Sequence, residues 1–281
     1  MKARLKKAKG PNTHSTWWCY IVAVLLILIY LLPIYIMLNL SFRTIQDVGS
    51  KLSLPAMWNF QNYIDVFKSG DLWLGFKNSI VLVVETVVLE IVFSALAAYG
   101  LARSNGKIAE SIRNVNMGIM MIPGVALLVG TYGLMVKFHM TNPLYGLALL
   151  SAAGGIPGTM FMYVNFVVSI PVALDEAAAI DGAGIWQRII HIMIPAIKKL
   201  AGTLLILQII SVFQIMYEPM VLTKGGPDNA SLSLMQLMWQ YAFGGSMNYG
   251  KASAVAVIVT LILLVMTAIY SYFDRKESDW D

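Results

Sequence analysis

Ser169-Ile170-Pro171-Val172-Ala173-Leu174-Asp175-Glu176-Ala177-Ala178-Ala179-Ile180-Asp181-Gly182-Ala183-Gly184-Ile185-Trp186-Gln187-Arg188 lies between two long apolar runs and resembles neither. Ser169 is a candidate N-cap, and Pro171 suits a first helical turn, where its missing N–H has no partner to lose. Val172–Ile180 is a strong helix-forming string with acids in its early turns. Asp181-Gly182 and Gly184 carry the turn chemistry that ends it. A second helix over Ile185–Ile194 would put Trp186, Ile189, Ile190 and Met193 on one face and Gln187, Arg188 and His191 toward the other. Pro195 then marks where the next apolar run begins or kinks. The whole connector, 170–199, is too long for a plain turn and too short for a domain, so it has its own structure and a purpose. From the residues alone, that structure is either a helix pair lying on a membrane surface or a helix pair offered to a partner protein.

Outward from this connector, apolar stretches occur at about Trp17–Leu40, Asn78–Leu101, Asn114–Val136, Gly146–Ser169, Leu200–Leu222 and Ala252–Phe273. Each is long enough to cross a hydrocarbon core of ~30 Å. The chain has 281 residues, 58% hydrophobic and only 12% charged. A soluble surface needs about twice that charge. The expected fold is therefore all-α and polytopic, with six transmembrane helices. The first apolar run is too long for a secretory h-region and no small-residue cleavage site follows, so it is expected to remain as a span. Placing 1–16, the loop 102–113, the connector 170–199 and the tail 274–281 on one side gathers thirteen of the twenty Lys and Arg there. That bias predicts both termini in the cytoplasm and accounts for the net charge of +5 without nucleic acid. Two sizeable loops, Ser41–Lys77 and Thr223–Gly250, then lie outside. One cysteine, Cys19, leaves no disulfide framework.

The string Glu176-Ala177-Ala178-Ala179-Ile180-Asp181-Gly182-Ala183-Gly184 … Ile192-Met193-Ile194-Pro195 resembles the EAA signature of permease subunits of binding-protein-dependent ABC importers. Asn59-Phe60-Gln61-Asn62-Tyr63 is similar to the NY element of the carbohydrate-uptake branch, as are Asn78-Ser79 and Ala98-Tyr99-Gly100-Leu101-Ala102-Arg103 at the ends of the second run. The resemblance covers nearly the whole chain and is closest to the maltose-type six-span permease. It departs from the family at Ile189, where an aromatic is common, and at Lys199, where a second proline is usual.

The resemblance implies a type I importer permease fold in a bacterial cytoplasmic membrane, with 170–199 forming coupling helices that dock on an ATPase subunit. It implies Glu176, Ala177, Ala178, Asp181, Gly182, Ala183, Trp186 and Pro195 as the coupling residues. It further implies a second homologous permease subunit, two ATPase subunits, an external solute-binding protein and a carbohydrate substrate. No cofactor is expected in this chain; ATP and Mg²⁺ would be bound by the partner ATPase.

Several residues suggest a path. Gly118, Pro123 and Gly124 are expected to interrupt the third span, and Gly154, Gly155, Pro157 and Gly158 the fourth. Gln208, Ser211, Gln214 and Glu218 recur near helical spacing along one face of the fifth span, and polar groups in hydrocarbon face a bundle interior or a wet cavity. Glu85 and Glu90 in the second span either join that path or bond a neighbouring helix. His14, His139 and His191 have no Cys or carboxylate at ligand spacing, so no metal site is expected. No catalytic constellation and no phosphate loop occurs in the sequence. A secondary transporter would call for internal repeats and an intramembrane enzyme for a catalytic pair, and neither is visible.

Overall fold

The computed structural model describes residues 16–278 apart from 48, 105, 142 and 246. The expected basic segment 1–16 lies outside the described residues except for Thr16, and the tail 274–281 is described as far as Ser278. The elements are α1 (Thr16–Ser41), α2 (Gln61–Lys68), α3 (Asp71–Ala102), α4 (Lys107–Met120), α5 (Gly124–Lys137) and α6 (Leu144–Ser169). They continue as α7 (Val172–Ile180), α8 (Ile185–Arg188), α9 (Ile194–Phe213), α10 (Leu234–Phe243) and α11 (Tyr249–Ser278). No strand occurs among the described residues.

Five helices are long and apolar enough to cross a membrane: Trp17–Ser41, Asp71–Ala102, Leu144–Ser169, Ile185–Phe213 and Tyr249–Arg275. The single span expected over Asn114–Val136 is instead two helices, α4 and α5, that meet at 102° and form a broken span or a re-entrant loop. Pro123 causes the break. It stands in an extended conformation (φ −60°, ψ 126°) ahead of α5, and proline both lacks a donor and drives the preceding residue out of the helical region.

The other two expected interruptions resolve differently. Pro157 lies inside an unbroken α6, so the fourth span is continuous where its glycines and proline suggested a break. Ser94 Oγ donates to Ile156 O at 3.4 Å and Asn116 Nδ2 to Pro157 O at 3.0 Å, so side chains of α3 and α4 bond α6 at the level of the proline. Ahead of Pro195, a five-residue π turn, Ile189–Met193, joins α8 to α9. The N–H of Ile194 reaches back to Ile189 O, and the widened turn relieves the clash a proline ring makes with the carbonyl four residues earlier. The separate helix expected over Ile185–Ile194 is therefore the first part of one helix, Ile185–Phe213. The fifth span ends at Phe213, nine residues before its expected end at Leu222, and a second π turn, Pro219–Thr223, follows the break.

The bundle is organised around α3, which packs along α6 and against α9. Lipid is as apolar as leucine, so helices in a membrane associate by close fit and polar bonds rather than by escape from water. The α3–α6 seam is built accordingly: Ser94 and Ala98 on α3, and Ala148 and Ala152 on α6, are all buried. At Gly155 a Cβ would lie 2.5 Å from Glu90 Oε2, so this position sets how near α6 can come to α3. Around the seam Leu82, Leu147, Phe213, Leu232, Leu234, Leu237 and Val255 form the largest buried cluster.

At the end of α3 nearest Asp71, side-chain amides lace the loops together. Asn62 Nδ2 donates to Ser41 O at 2.9 Å and Arg43 O at 2.8 Å, and Tyr63 Oη donates to Ser41 Oγ at 2.7 Å. The Asn62-Tyr63 pair thus fixes α2 to the end of α1. Asn78 Nδ2 donates to Leu232 O at 3.1 Å, and Leu234 N donates to Ser79 Oγ at 3.4 Å, which pins the segment before α10 across α3. Buried Arg43 bonds Gly49 O and Ser50 O and gathers the loop 43–53 around its guanidinium. The N–H groups of Gly49 and then Ala56 hold the Asp47 carboxyl below the usual carboxylate range, with Arg43 adding to the effect.

Candidate functional site

Two features at opposite levels of the bundle carry polar chemistry. The first is a cavity of about 630 Å³ between α3, α5, α6 and α9 and the segment after α9. Gln208, Ser211, Gln214 and Glu218 all line it, but not as one helical face. Gln208 and Ser211 project from α9, Gln214 caps its C-terminus with its N–H on Ile210 O at 3.2 Å, and Glu218 starts the π turn beyond the break. The break itself brings Gln214 and Glu218 to the cavity. Glu85 does not line it; its Oε2 is buried on another side of α3 without a hydrogen bond.

Glu90, which the sequence left between two roles, takes both. It lines the cavity and is 1% exposed, held by Thr159 Oγ1 of α6 and Gln208 Nε2 of α9 on the same carboxylate oxygen. One carboxylate thus ties three helices, and the Gln208 amide donates to it. The wall also presents two hydroxyls, Thr86 Oγ1 and Ser151 Oγ, that are buried and have no hydrogen-bond partner. A buried polar atom without a partner is costly, so these two oxygens are unmet hydrogen-bonding capacity sealed just behind the cavity wall. Sequence reasoning missed Thr86, Ser151 and Thr159, because single hydroxyls in apolar helices commonly bond their own backbone.

The second feature is α7 with the turn and helix that follow. Ser169, expected as its N-cap, ends α6 instead and donates to Phe166 O; Pro171 is the residue that precedes α7. The C-terminus closes as a glycine cap: Gly182 N bonds Ala179 O at 3.1 Å and Ala183 N bonds Ala178 O at 2.8 Å. Gly182 stands at φ +85°, where a side chain would be strained whatever space surrounds it. Gln187 Oε1 accepts from Gly184 N at 2.7 Å and starts α8.

Of the eight sequence-predicted coupling residues, Glu176, Ala177, Asp181, Gly182, Trp186 and Pro195 are exposed, and Ala178 and Ala183 are partly covered. Trp186 is 66% exposed and Ile180 87%. On the following helix Ile189 and Met193 turn inward with Ile197 against Tyr99 and Val167, whereas Trp186 and Ile190 do not join them as the sequence suggested. The widened turn rotates the register between Trp186 and Met193. The adjacent acids split: Glu176 faces out, and Asp175 is buried beside Arg103. Among the described residues no group of three or more His, Cys, Asp or Glu could hold a metal ion.

Residues 90–279 match the family model described as binding-protein-dependent transport system inner membrane component. The chain is 30% identical over 206 residues to the melibiose/raffinose/stachyose import permease protein MelC of Bacillus subtilis, covering 73% of this chain and 75% of that one. It is 28% identical over 277 residues to the diacetylchitobiose uptake system permease protein NgcG of Streptomyces coelicolor, covering 96% and 90%. A crystal structure of a bacterial ABC transporter involved in the import of the acidic polysaccharide alginate contains a chain that superposes with a TM-score of 0.73 at 17% identity, covering 94% of this chain and 97% of that one. A match over 90–279, with the same helical frame across nearly the whole chain, makes this protein a member of the binding-protein-dependent transport system inner membrane components, a permease of the type I importer fold.

Proposed function

We propose that this permease forms, with a second homologous permease subunit, the alternating-access pathway for a sugar or oligosaccharide delivered by an external solute-binding protein. Two ATPase subunits hold ATP and Mg²⁺ and perform the hydrolysis. Both termini and α7 lie in the cytoplasm, and the laced loops at the α2 end lie outside, where the binding protein docks.

The observation that carries this reading is the exposure of α7 and its glycine-capped turn. Apolar Ile180 and Trp186 and the carboxylate of Glu176 all face away from the bundle, as an element made to be covered by another protein would place them. Glu176 offers a charge-assisted bond to an ATPase donor, and Gly182 lets the turn approach that surface without a Cβ. Open and closed ATPase pairs contact this element differently, and that difference in contact free energy moves the spans.

The solute class rests on the cavity and on the named activities of the relatives. Polar groups at Gln214 and Glu218 suit a ligand rich in hydroxyls, and the apolar wall at Leu127 and Leu128 suits the faces of sugar rings. In proteoliposomes containing both permeases and the ATPase and supplied with the solute-binding protein, Gln214→Ala and Glu218→Ala should each slow uptake of melibiose or diacetylchitobiose several-fold, while assembly is retained. Uptake and solute-stimulated hydrolysis at wild-type levels in both variants would remove the proposed lining. Uptake of neither sugar by the wild type, with hydrolysis stimulated by another solute, would reassign the substrate.

A further inference from the structure

α7 is a nine-residue helix with one buried side chain, and that side chain is Asp175. Every other residue of α7 is exposed or partly so. A helix offered to a partner protein is thus attached to its own bundle by a carboxylate rather than by an apolar face. Arg103 Nε donates to Asp175 Oδ2 at 2.6 Å, with the two side chains 13% and 6% exposed. The same guanidinium donates through Nη1 to Val167 O at 3.1 Å and Ile170 O at 3.2 Å. Tyr99 Oη lies 3.4 Å from the other carboxylate oxygen. Arg103 is itself the capping residue of α3, its N–H bonded to Tyr99 O. One planar group therefore holds three segments together: the end of α3, the end of α6 and the first turns of α7.

We propose that the Arg103–Asp175 pair is the latch through which displacement of α7 reaches the cavity, so that both are positioning residues for transport. This inference rests on the coupling role assigned to α7 above. An apolar contact would let a short helix slide or roll when pushed; a forked guanidinium bonded to a carboxylate and two carbonyls tolerates little change of angle. A push on α7 is accordingly passed to α3 and α6 together. Thirteen residues along α3, about 20 Å at helical rise, Glu90 joins α3 to Thr159 of α6 and Gln208 of α9 at the cavity wall. The α3–α6 pair is cross-linked twice, once at its end under the coupling helix and once midway along both helices at the solute path. A stiff unit gripped at one end moves at the other. The pair is also deeply shielded, and burying two charges is weak support for stability, so its retention here fits fixing of geometry rather than strength of fold.

The test needs no knowledge of the solute. In a Cys19→Ala background, Ala153→Cys places a thiol on the exposed wall of the cavity, and its labelling by a water-soluble maleimide is compared between nucleotide-free and ATP–vanadate-trapped complexes of both permeases with the ATPase. The parent should show a clear change of labelling rate on trapping. Asp175→Asn and Arg103→Lys should each shrink that change about tenfold while the ATPase co-purifies and still traps vanadate, and the double variant should be no worse than either single one. Arg103→Lys keeps the charge and loses the fork, so its failure would separate geometry from charge. An undiminished change in both single variants would overturn the latch, as would additive losses in the double variant. Variants that no longer assemble with the ATPase would assign the pair to folding or docking and overturn it too. A parent complex with no ATPase attached would instead strike at the transporter reading itself.

Discussion

The two ends of this bundle are finished in opposite ways. At the α2 end, Asn62, Tyr63, Asn78 and Ser79 bond backbone or hydroxyl groups from distant segments, Arg43 gathers a loop around itself, and Lys251 reaches Asp65 at 2.9 Å. At the α7 end the buried side chain of α7 itself is Asp175, paired with Arg103, and the apolar side chains of Ile180 and Trp186 stand uncovered. Both ends satisfy backbone groups within the chain, the α2 end through side chains from distant segments and the α7 end through its glycine cap and one guanidinium. The difference separates a surface that keeps its own shape from one whose shape is completed by something else.

The largest expected effect tests the second half of that statement. Gly182→Asp adds a Cβ at φ +85°, costing about 1 kcal/mol or more in the backbone, and puts a charge on the exposed turn. Glu176→Lys reverses the carboxylate proposed to bond the ATPase, a charge-assisted contact that would contribute about 1.5–3 kcal/mol. Both should reduce coupled transport at least tenfold without preventing membrane insertion, as read by ATPase pull-down and solute-stimulated hydrolysis in reconstituted membranes. If both variants retain the ATPase and its stimulation, α7 is only a helix resting on the membrane surface.

A smaller effect tests the first half. Asn62→Ala at the laced end strips donors from Ser41 O and Arg43 O, two buried acceptors, and should destabilise the permease by about 1–3 kcal/mol. It should appear as a lowered unfolding midpoint in detergent, with ATPase pull-down unchanged; a loss of ATPase binding instead would show that the two ends are not independent.

The smallest effect concerns Asp65, held below the usual carboxylate range first by its bond to Lys251 and then by Gln61. Because its folded value is depressed, the contribution is complete above the ordinary value of 3.8 and lost only as pH falls through the lower folded value. Asp65→Asn should therefore shift the midpoint slightly and by the same amount at every pH from about 5 to 8. A difference that varied across this range would mean that some other group titrates at this contact.

What the sequence could disclose followed from kinds of signal that add up over many residues. Long apolar runs located the crossings, and the Ala-rich string with Asp181-Gly182 located α7 and its turn. Proline was a weaker guide, because the same residue met three fates: Pro123 stands at the break between α4 and α5, Pro157 is accommodated inside α6, and Pro195 is absorbed by a widened turn. Nothing in the residues next to each proline distinguishes these outcomes, and the contacts around Pro157, from Ser94 and Asn116, come from helices far away in sequence. The cavity shows the same limit. Gln208 and Glu90 are 118 residues apart in sequence, and their bond exists only because α3 and α9 cross at that level. Asp175 and Glu176 are adjacent and alike in chemistry, and only the partner at Arg103 distinguishes the one that faces inward.

The first helix has a consequence for how such a chain can change over generations. Through most of α1, from Trp17 to Tyr35, side chains are exposed within the chain, and its buried residues, Asn39 and Ser41, come only in the last turn. Within this protein most of α1 is specified by how long and how oily it is, a requirement that very many sequences satisfy equally. Glu90 and Gly155, in contrast, are fixed by each other, since a Cβ at position 155 would lie 2.5 Å from Glu90 Oε2. Mutational drift should thus run freely along the outer helix and stall at the α3–α6 seam, giving one polypeptide two very different rates of sequence ageing.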